Sequence, residues 1–563
     1  MARHSLKGVS SLGQLLALRA EVMPDAMAYS FLSKRGTRQD TLSYAQLYRA
    51  GKICAAAMGE FAKPGETVLI AAKPGLKFIE AFFASQLAGL IAVPVNPGRL
   101  RAADCVIIWH LARDAGAKAI FCDDDAAAAI MAHDFASSDV RILTSSQVAE
   151  KDDCGSWKYS NAGSQLAYLQ YTSGSMGAPK GVMVGHDNVL HNSAVISEKF
   201  GHQHDSVGVI WLPPYHDMGL VGGIIQPLYA GFPVHLMEPA EFIRRPATWL
   251  EAITKFRATT SGGPSFAYEY CLKRIPEKTR GTYDLRSWRL AFCGAEPVSA
   301  ETLQRFQRGF HTAGFQPRSF YPCYGLAEAT LFVTGRHIDP EAEPINFEEP
   351  ISCGSCAKGT ELRILELESN TEVTEGTVGE VFVSSPSVAY GYWGREKESQ
   401  AVFSHRLDDD VPGIRTGDLG YVRGGELYVV GRKSSMIIIR GKNYYPEDIE
   451  AAISSKVTFF SGQLVAAVGT LGSEGEAIAI LAELSAKDFA HVDRSELSKE
   501  IQALLVNRFG VRAEEIVFLR AGRLPRTDTG KVKRSALADI LSEQLCALTP
   551  QAAGVLPKTE PAE

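Results

Sequence analysis

The chain has 563 residues, of which 45% are hydrophobic and 22% are charged, and its formal net charge is −6. This composition is typical of a globular protein, and the length allows about three to four domains. A slightly acidic chain lacks the basic footprint of a nucleic-acid-binding protein. The N-terminal region contains no apolar stretch of signal-peptide length, and the apolar run 87–95 is too short to span a bilayer. We therefore expect a cytoplasmic protein that neither binds nucleic acid nor integrates into a membrane.

The ten cysteines are scattered along the chain, and only Cys353 and Cys356 form a closely spaced pair. A zinc site of the usual kind needs a second such pair, which the sequence lacks. A thioredoxin-like pair is followed by a helix, whereas a strand-like segment begins at Glu361. We interpret the cysteines as structural rather than as redox-active or metal-binding groups.

The first part of the chain alternates short apolar segments with amphipathic ones, which is the pattern of α/β layers. From about residue 351, strands separated by charged turns indicate a β-rich subdomain. The sequence therefore predicts an α/β fold, with a large domain over residues 1–430 that includes this subdomain at about 351–430. The clearest predicted strands are 67–71, 119–122, 207–211 and 290–294, and the clearest predicted helices are 45–58, 77–87 and 249–256.

A smaller domain is predicted over residues 431–545, and a disordered tail rich in proline and alanine over 546–563. One amphipathic helix stands out in it, because Asp493 and Glu496 form a capping-box pattern and Gly510 provides a stop. Strands on both sides of this helix indicate an α+β unit. They are predicted at 436–439, 464–468, 477–481 and 516–519.

The segment from Tyr171 to Gly181 has the composition of a phosphate-binding loop, and it reads YTSGSMGAPKG. Glycines let the main chain approach phosphate oxygens, and hydroxyl groups and one lysine complete an anion site. It is not a P-loop, because Pro179 precedes Lys180 and Gly181 follows it. An ordinary turn between two buried strands explains the loop equally well when it is considered alone.

Four more positions suit a nucleotide site. Glu328 follows a glycine turn, Asp418 ends the sequence Arg-Thr-Gly-Asp at a predicted tight turn, and Arg432 begins the small domain. Lys531 lies in a basic run near the end of the chain. Glu328 could instead be favoured by a helix dipole, Asp418 could form an Asx turn, and Lys531 could be a solvated lysine. Their occurrence together with the loop favours the functional interpretation.

In this order, the motifs resemble those of the adenylate-forming superfamily of acyl-CoA ligases, luciferases and peptide-synthetase adenylation domains. The resemblance extends from about Ser11 to Leu537. It implies a large N-terminal domain of layered α/β subdomains and a small, mobile α+β C-terminal domain. It also implies that the protein uses ATP and Mg²⁺ to convert a carboxylic acid into an acyl-adenylate, with release of pyrophosphate.

The resemblance also implies roles for individual residues. Glu328 would be catalytic and would ligate Mg²⁺, which prefers oxygen ligands. Lys531 would contact the reacting carboxylate and the α-phosphate, where a cation offsets the repulsion between two anions. The phosphates of ATP would be held by Thr172, Ser173, Gly174, Ser175 and Lys180. The adenine would be held by Gly294, Ala295, Glu296, Tyr324 and Gly325. The ribose would be held by Asp418 and Arg432.

Within the superfamily, segments 211–220 and 441–450 look like the fatty acyl-AMP ligase branch. Its members pass the acyl group to the phosphopantetheine thiol of an acyl carrier protein, which this chain does not contain. His216 would then be a catalytic residue between the acid pocket and the reaction centre. It could also be a satisfied histidine at a helix start, with Asp217 as the cap.

The glycines of the segment Met218-Gly-Leu-Val-Gly-Gly-Ile-Ile have two interpretations. They could line a narrow apolar tunnel that selects acids by length, because each buried methylene contributes about 0.8 kcal/mol. They could also simply permit close helix packing. The glycines concerned are Gly219, Gly222 and Gly223.

Two features depart from the fatty acyl-AMP ligase pattern. The insertion that usually follows the Glu-Ala-Thr-Leu motif is short or absent between Arg336 and Ile351, which makes transfer to CoA the alternative function. The hinge after Arg432 continues Lys-Ser-Ser, where an aspartate or lysine is usual at the third position.

Two further alternatives are less favoured. An amino-acid-adenylating enzyme could use Asp217 to bind an α-amino group, but the usual Phe-Asp-x-Ser arrangement is missing. A catalytically silent acyl-nucleotide binder would have no use for Lys531 and Glu328.

Overall fold

The computed structural model describes residues 6, 8–32, 39–133, 139–151, 165–172, 179–296, 298–338, 350–403, 413–439, 442–460, 464–472, 475–526, 532–537 and 540–541. The helices are α1 (Leu12–Val22), α2 (Tyr44–Met58), α3 (Leu76–Leu87), α4 (Ala102–Asp114), α5 (Asp124–Ala132), α6 (Ser145–Ala149), α7 (His186–Lys199), α8 (Gln226–Ala230), α9 (Pro239–Arg244), α10 (Ala247–Phe256), α11 (Ser265–Arg274), α12 (Glu277–Arg280), α13 (Ala300–Phe310), α14 (Glu396–Phe403), α15 (Pro446–Lys456), α16 (Ala486–His491) and α17 (Arg494–Phe509).

The strands are numbered separately from the helices. They are β1 (Met27–Leu32), β2 (Gln39–Ser43), β3 (Thr67–Ala71), β4 (Ile91–Pro94), β5 (Ala119–Cys122), β6 (Arg141–Thr144), β7 (Leu166–Thr172), β8 (Lys180–Gly185), β9 (Gly208–Ile210), β10 (Val234–Met237), β11 (Thr260–Gly263), β12 (Leu290–Cys293), β13 (Phe320–Gly325), β14 (Phe332–Gly335), β15 (Ser355–Cys356), β16 (Glu361–Leu365), β17 (Gly379–Ser384), β18 (Gly413–Arg423), β19 (Glu426–Arg432), β20 (Ile437–Ile439), β21 (Lys442–Tyr444), β22 (Val465–Gly472), β23 (Gly475–Leu484) and β24 (Ala513–Arg520).

The chain divides into two compact units, Met1–Lys433 and Ser434–Glu563. The first unit contains three sheets. A nine-stranded sheet has the order β15-β14-β13-β12-β11-β9-β10-β1-β2, and a six-stranded sheet has the order β6-β5-β3-β4-β7-β8. The strands in the middle of both sheets run parallel, and helices connect them, which confirms the predicted α/β class. The predicted boundary at residue 430 falls inside β19 and stays a prediction.

The core of the first unit is built around α3, which is buried on nearly all of its surface. Phe78, Phe82 and Phe83 belong to one apolar cluster that includes strand residues from both large sheets. A helix that is hydrophobic all round is expected between two layers rather than at a surface. A second cluster, formed by α4 and α5 with β3, β4 and β5, covers the other face of the six-stranded sheet.

The third sheet of the first unit is antiparallel, with the order β16-β17-β18-β19. The sequence Arg-Thr-Gly-Asp that ends at Asp418 lies inside β18 rather than at a tight turn, so that prediction was wrong. Gly417 has φ of +73°, and the pairing of β18 with β17 shifts register at this point, because Leu419 pairs with Glu380 whereas Arg415 pairs with Phe382. A β-bulge in a strand, rather than a turn between strands, therefore explains the glycine.

The second unit has its own core. Strands β22, β23 and β24 form one sheet and β20 and β21 a hairpin, while α15 and α17 supply apolar side chains such as Ile453 and Ile501. The predicted helix is observed as α17. Its N-cap Asp493 accepts hydrogen bonds from the backbone of Ser495 and Glu496, and Gly510 ends it with φ of +70°.

Most predicted elements lie within two residues of the observed ones. The predicted tail, 546–563, is outside the described residues. The eight cysteines in the described ranges are free thiols, including Cys353 and Cys356. Among the helices of the described ranges, none is long and apolar enough to cross a membrane.

Candidate active site

The loop that reads as phosphate-binding joins β7 to β8, the antiparallel pair at one edge of the six-stranded sheet. Thr172 and Lys180 are register partners, so the loop leaves and re-enters the sheet between these two half-buried residues. The two strands that the sequence predicts on either side of the loop are therefore observed. Ser173, Gly174 and Ser175 lie outside the described residues.

A segment from a distant part of the chain covers the free edge of β8. The backbone N–H of Met183 donates to the carbonyl of Gly391 at 2.8 Å, and that of Trp393 donates to the carbonyl of Gly181 at 2.8 Å. The backbone N–H of Ala389 donates to the carbonyl of Glu328 at 2.9 Å. The segment 389–393 therefore holds the strand that bears Lys180 beside the turn that bears Glu328.

Tyr392, which lies in this segment, is the contact between the two predicted site residues. Its hydroxyl donates to Oε1 of Glu328 at 2.8 Å, and the ammonium of Lys180 lies over its ring, 4.9 Å from the ring centroid. A cation over an aromatic face is attracted by the ring quadrupole. Tyr392 thus contacts both a cation and a carboxylate, and the sequence motifs gave no sign of it.

Glu328 lies on a three-residue 3-10 helix, Ala327–Ala329, directly after β13. Burial raises the pKa of its carboxyl, and the hydrogen bond from Tyr392 lowers it in part. The charges of Arg432 and Asp418 also act on it, in opposite directions. A buried carboxylate with little compensating charge is a favourable ligand for a cation, because the cation would offset the cost of its ionisation.

Asp418, Tyr324 and Arg432 form a second polar group. Asp418 and Arg432 are register partners in β18 and β19, and Nε of Arg432 donates to Oδ1 of Asp418 at 2.7 Å. The hydroxyl of Tyr324 donates to Oδ2 at 2.7 Å. The side chain of Asp418 is 7% exposed, whereas that of Arg432 is half exposed. Each carboxylate oxygen keeps a lone pair that a ribose hydroxyl could use.

The remaining predicted adenine contacts lie at the carboxyl ends of β12 and β13, which are parallel neighbours. Ala295 adopts a positive φ of 68°, which is rare for a residue with a side chain and common at binding sites. A Cβ at Gly294 would lie 2.7 Å from the carbonyl oxygen of Cys323, and one at Gly325 would collide with the carbonyl of Leu331. The backbone is therefore packed too closely for any other residue at these two glycines.

Glu296 has a structural partner. Its Oε1 accepts a hydrogen bond from the backbone N–H of Phe266 at 2.8 Å, at the start of α11. Orphan N–H groups at a helix N-terminus favour a carboxylate in this position. If the segment 294–296 contacts adenine as predicted, its backbone is better placed for this than the Glu296 carboxylate.

An apolar cavity opens beside these residues. Its lining includes Ala295, Tyr324 and Gly325 from the predicted adenine site. It also includes Asp217 and Met218, at the start of the helix Met218–Ile225. It continues along the nine-stranded sheet between aliphatic and aromatic side chains. These are Ile196, Phe200, Ile210, Pro227, Phe232, Val234, Phe292, Leu331 and Phe332.

One wall of the cavity is a π-helix, Met218–Ile225, followed directly by α8. Met218, Gly222 and Gln226 recur every four residues along it and line the cavity. Single π-helical turns are rare and are often found at functional sites. The wide turn was not predicted from the sequence, because every residue of this segment is apolar or glycine, so no polar position reveals the helical period.

The glycines of this helix divide between the two predicted interpretations. Gly222 lines the cavity, where a Cβ would have only an ordinary contact of 3.6 Å with Leu331. A Cβ at Gly219 would collide with the carbonyl of Pro213, and one at Gly223 would lie 2.9 Å from Ile210. Gly222 thus shapes the tunnel, while Gly219 and Gly223 permit close packing.

His216 and Lys531 are the two remaining predicted site residues. The carbonyl of His216 accepts from Leu220 at 2.7 Å, and the carboxylate of Asp217 accepts from the backbone of Met218 at 2.7 Å, as in the cap interpretation. His216 is half buried beside Tyr215, and the neighbouring Asp217 lines the cavity. Its catalytic role stays a prediction. Lys531 lies outside the described residues.

Comparison with known proteins agrees with this geometry. The AMP-binding enzyme family matches residues 16–393. The medium-chain-fatty-acid–[acyl-carrier-protein] ligase JamA of Moorena producens is 34% identical, over 94% of this chain and 94% of its own. The ligase of the same description named TtuA, from Teredinibacter turnerae, is 32% identical over 94% of this chain and 93% of its own.

Two solved structures share the fold at similar identity. A structure from work on the fatty acyl-adenylate ligases of E. coli and L. pneumophila has a TM-score of 0.83 and 30% identity, covering 96% of this chain and 99% of its own. A fatty acid AMP ligase from Legionella pneumophila has a TM-score of 0.71 and 33% identity, covering 95% and 96%. The chain therefore belongs to the AMP-binding enzyme family and is an adenylate-forming ligase.

Proposed function

We propose that this enzyme activates a fatty acid of medium length as an acyl-adenylate and transfers the acyl group to the phosphopantetheine thiol of an acyl carrier protein. The observation that carries the proposal is the apolar cavity, which begins at the predicted nucleotide residues Ala295, Tyr324 and Gly325 and continues between apolar side chains. The related proteins JamA and TtuA are described as ligases of medium-chain fatty acids and acyl carrier protein. ATP is the co-substrate.

The phosphates of ATP are held by the loop between β7 and β8. Thr172 and Lys180 stand at its two ends, and Lys180 lies over the ring of Tyr392. In our proposal Ser173, Gly174 and Ser175 complete the phosphate site. Because Lys180 is at this loop, it holds the outgoing pyrophosphate rather than the reacting carboxylate.

Mg²⁺ is held by Glu328 together with phosphate oxygens. The described residues contain no cluster of three or more His, Cys, Asp or Glu side chains that could hold a metal without the nucleotide. Mg²⁺ commonly uses one or two carboxylates plus substrate phosphates, and a buried carboxylate with a raised pKa gains from a nearby cation. The bound ion would neutralise charge that develops on the phosphates during the reaction.

The nucleoside lies between the ends of β12 and β13 and the antiparallel sheet. Asp418, held by Tyr324 and Arg432, accepts hydrogen bonds from the ribose hydroxyls. The backbone of Gly294, Ala295 and Glu296 borders the adenine, and Gly325 lets the chain turn closely beside it. We assign Lys531 to the reacting carboxylate and the α-phosphate, and His216 to the passage between the acid and the reaction centre.

Acyl transfer to CoA is the alternative that the sequence suggested, because the sequence between Arg336 and Ile351 is short where fatty acyl-AMP ligases usually carry an insertion. The relatives JamA and TtuA, which are described as ligases of acyl carrier protein, do not favour it. Residues 339–349 of this stretch lie outside the described residues. A cytoplasmic location is part of the proposal and depends on the sequence alone.

The test of the activation step is mass spectrometry of the purified enzyme incubated with ATP, Mg²⁺ and a panel of acids. The panel contains saturated acids of increasing length, aryl acids and amino acids. We expect acyl-adenylates from fatty acids of medium length and none from amino acids. Adenylation of amino acids would contradict the assignment, and no adenylate with any acid would support a silent nucleotide binder.

A further inference from the structure

A polar cluster closes the far end of the acyl cavity. Gln226 and Thr260 line it there, with His202 between them, and all three are buried. The Nε2 atom of Gln226 donates to Nδ1 of His202 at 3.2 Å, and Nε2 of His202 lies 3.2 Å from Oγ1 of Thr260. Nε2 of Gln226 also donates to Oγ of Ser197 at 2.9 Å.

The cluster lies opposite the nucleotide residues along the sheet. Thr260 is the first residue of β11, and Gly263 is the last. In the parallel pairing of β11 with β12, Gly263 is in register with Cys293. Three residues of strand span about 10 Å. Ala295 follows the carboxyl end of β12 and Gly325 is the last residue of β13, so the predicted nucleotide residues and the cluster lie toward opposite ends of one cavity.

One acceptor in this cluster is unused. Oε1 of Gln226 has no hydrogen-bond partner among the residues that the structure describes, although the side chain is 0% exposed. Leaving a buried acceptor unsatisfied costs as much as the loss of a hydrogen bond or more. Both hydrogens on Nε2 are already shared with Ser197 and His202. Because Gln226 lines the cavity, its Oε1 atom is the acceptor in this cluster that could take a hydrogen bond from a donor bound there.

We propose that the acid this enzyme activates carries a hydroxyl group near the far end of its acyl chain, and that Oε1 of Gln226 accepts a hydrogen bond from it. The proposal rests on the proposed function and adds a polar subsite to it. His202 and Thr260 are positioning residues, because they hold the Gln226 amide through its Nε2 side.

A hydroxyl fits better than other donors. An ammonium group would be buried beside Gln226, His202 and Thr260, none of which supplies a negative charge. Burial lowers the pKa of His202 to about 3, so the imidazole is neutral. A hydroxyl is neutral and can both donate and accept, so it also fits if the two ends of the amide exchange places.

The test compares pairs of acids with equal numbers of heavy atoms, in which a terminal hydroxyl in one replaces a methyl group in the other. Adenylate formation is measured as kcat/KM for each acid, over a series of chain lengths. We expect wild type to favour the hydroxy acid at least about tenfold at the length that reaches Gln226. The variant Gln226→Leu should lose this preference or reverse it.

Gln86→Leu is the matched control. Gln86 is also a buried glutamine whose Oε1 lacks a partner in the described part of the chain, but it lies in α3 and does not line the cavity. It should leave the preference unchanged. The readout is a ratio of two substrates on one preparation, so partial misfolding of a variant cancels.

Wild type that favours the methyl partner at every length, or Gln226→Leu with an unchanged preference, would overturn the proposal. In both cases the adenylation of fatty acids would stand. A complete lack of adenylate with every acid would instead overturn the proposed function, and the hydroxyl subsite with it.

Discussion

At the scale of single residues, the site depends on side chains that connect motifs far apart in sequence. Tyr392 contacts Glu328 and Lys180, and Asp418 contacts Tyr324 and Arg432. Each of these contacts gives a charged group a fixed partner before any nucleotide binds. Preorganised charges of this kind contribute to catalysis because they need not reorganise during the reaction.

Tyr392→Phe tests the contact with Glu328. The ring under Lys180 remains, while the hydroxyl that lowers the pKa of Glu328 is lost, so this already raised pKa rises further. Because Mg²⁺ binds the ionised carboxylate, we expect the KM for ATP to rise about tenfold in the variant. As the pH is lowered, the KM of the variant should begin to increase at a higher pH than the KM of wild type. Pyrophosphate exchange measured across pH reads out both effects.

Tyr270→Phe is the control for that variant. The hydroxyl of Tyr270 donates to the carbonyl of Ile243 at 2.7 Å in an exposed position outside the predicted site. It should leave the pH profile of exchange unchanged. A Tyr392→Phe enzyme with the wild-type profile would show that Glu328 does not bind the metal through this arrangement.

Lys531→Ala tests the residue assigned to the reacting carboxylate. Loss of a group that stabilises developing charge costs about 2–4 kcal/mol, so adenylate formation should fall by a hundredfold or so. Transfer from an adenylate supplied ready-made should suffer much less. The exposed neighbour Lys533 provides the control variant Lys533→Ala. Equal losses in both half-reactions would contradict the assigned role.

At the scale of elements, the π-helix Met218–Ile225 determines the shape of the acid site. One of its faces, with Met218 and Gly222, lines the cavity in which we propose that the acyl chain lies. The other face is fixed by Gly219 and Gly223 against Pro213 and Ile210. Binding and packing are thus separated on one helix.

Gly222→Leu should change the preference for acid length, whereas Gly219→Ala should lower the thermal stability. A leucine side chain at position 222 enters the cavity and occupies space that the distal part of a long acyl chain would fill. If about three methylenes lose their contacts, kcat/KM for long acids should fall roughly fiftyfold, while kcat/KM for shorter acids should change little. A Cβ at Gly219 meets the Pro213 carbonyl, so Tm should fall whatever the acid. Thermal unfolding and a chain-length series measure the two, and an unchanged length preference in Gly222→Leu would contradict the cavity assignment.

At the scale of the whole molecule, the sequence predicted the α/β class and most element positions, because apolar periodicity and helix caps are local signals. It also predicted that the loop ending at Lys180 joins two strands. It placed Asp418 at a turn, since a glycine before an aspartate has the same local signature in a turn and in a β-bulge. Local sequence does not distinguish these two cases.

The parts of the site that were missed depend on contacts between distant segments. Tyr392 reaches Glu328 across 64 residues, and Gln226 reaches His202 across 24. No spacing rule joins such pairs, because each contact results from how a covering segment or a helix packs on the sheet. The motif order identified the family, while the polar end of the cavity became visible only in the structure.

The central claim is that the acyl group passes from the adenylate to a carrier protein. The most direct measurement compares the initial rates of acyl transfer to a phosphopantetheinylated carrier protein and to CoA, with ATP, Mg²⁺ and the preferred acid held constant. We predict acyl-carrier protein as the main product, detected by intact-protein mass spectrometry. Predominant formation of acyl-CoA would contradict the account.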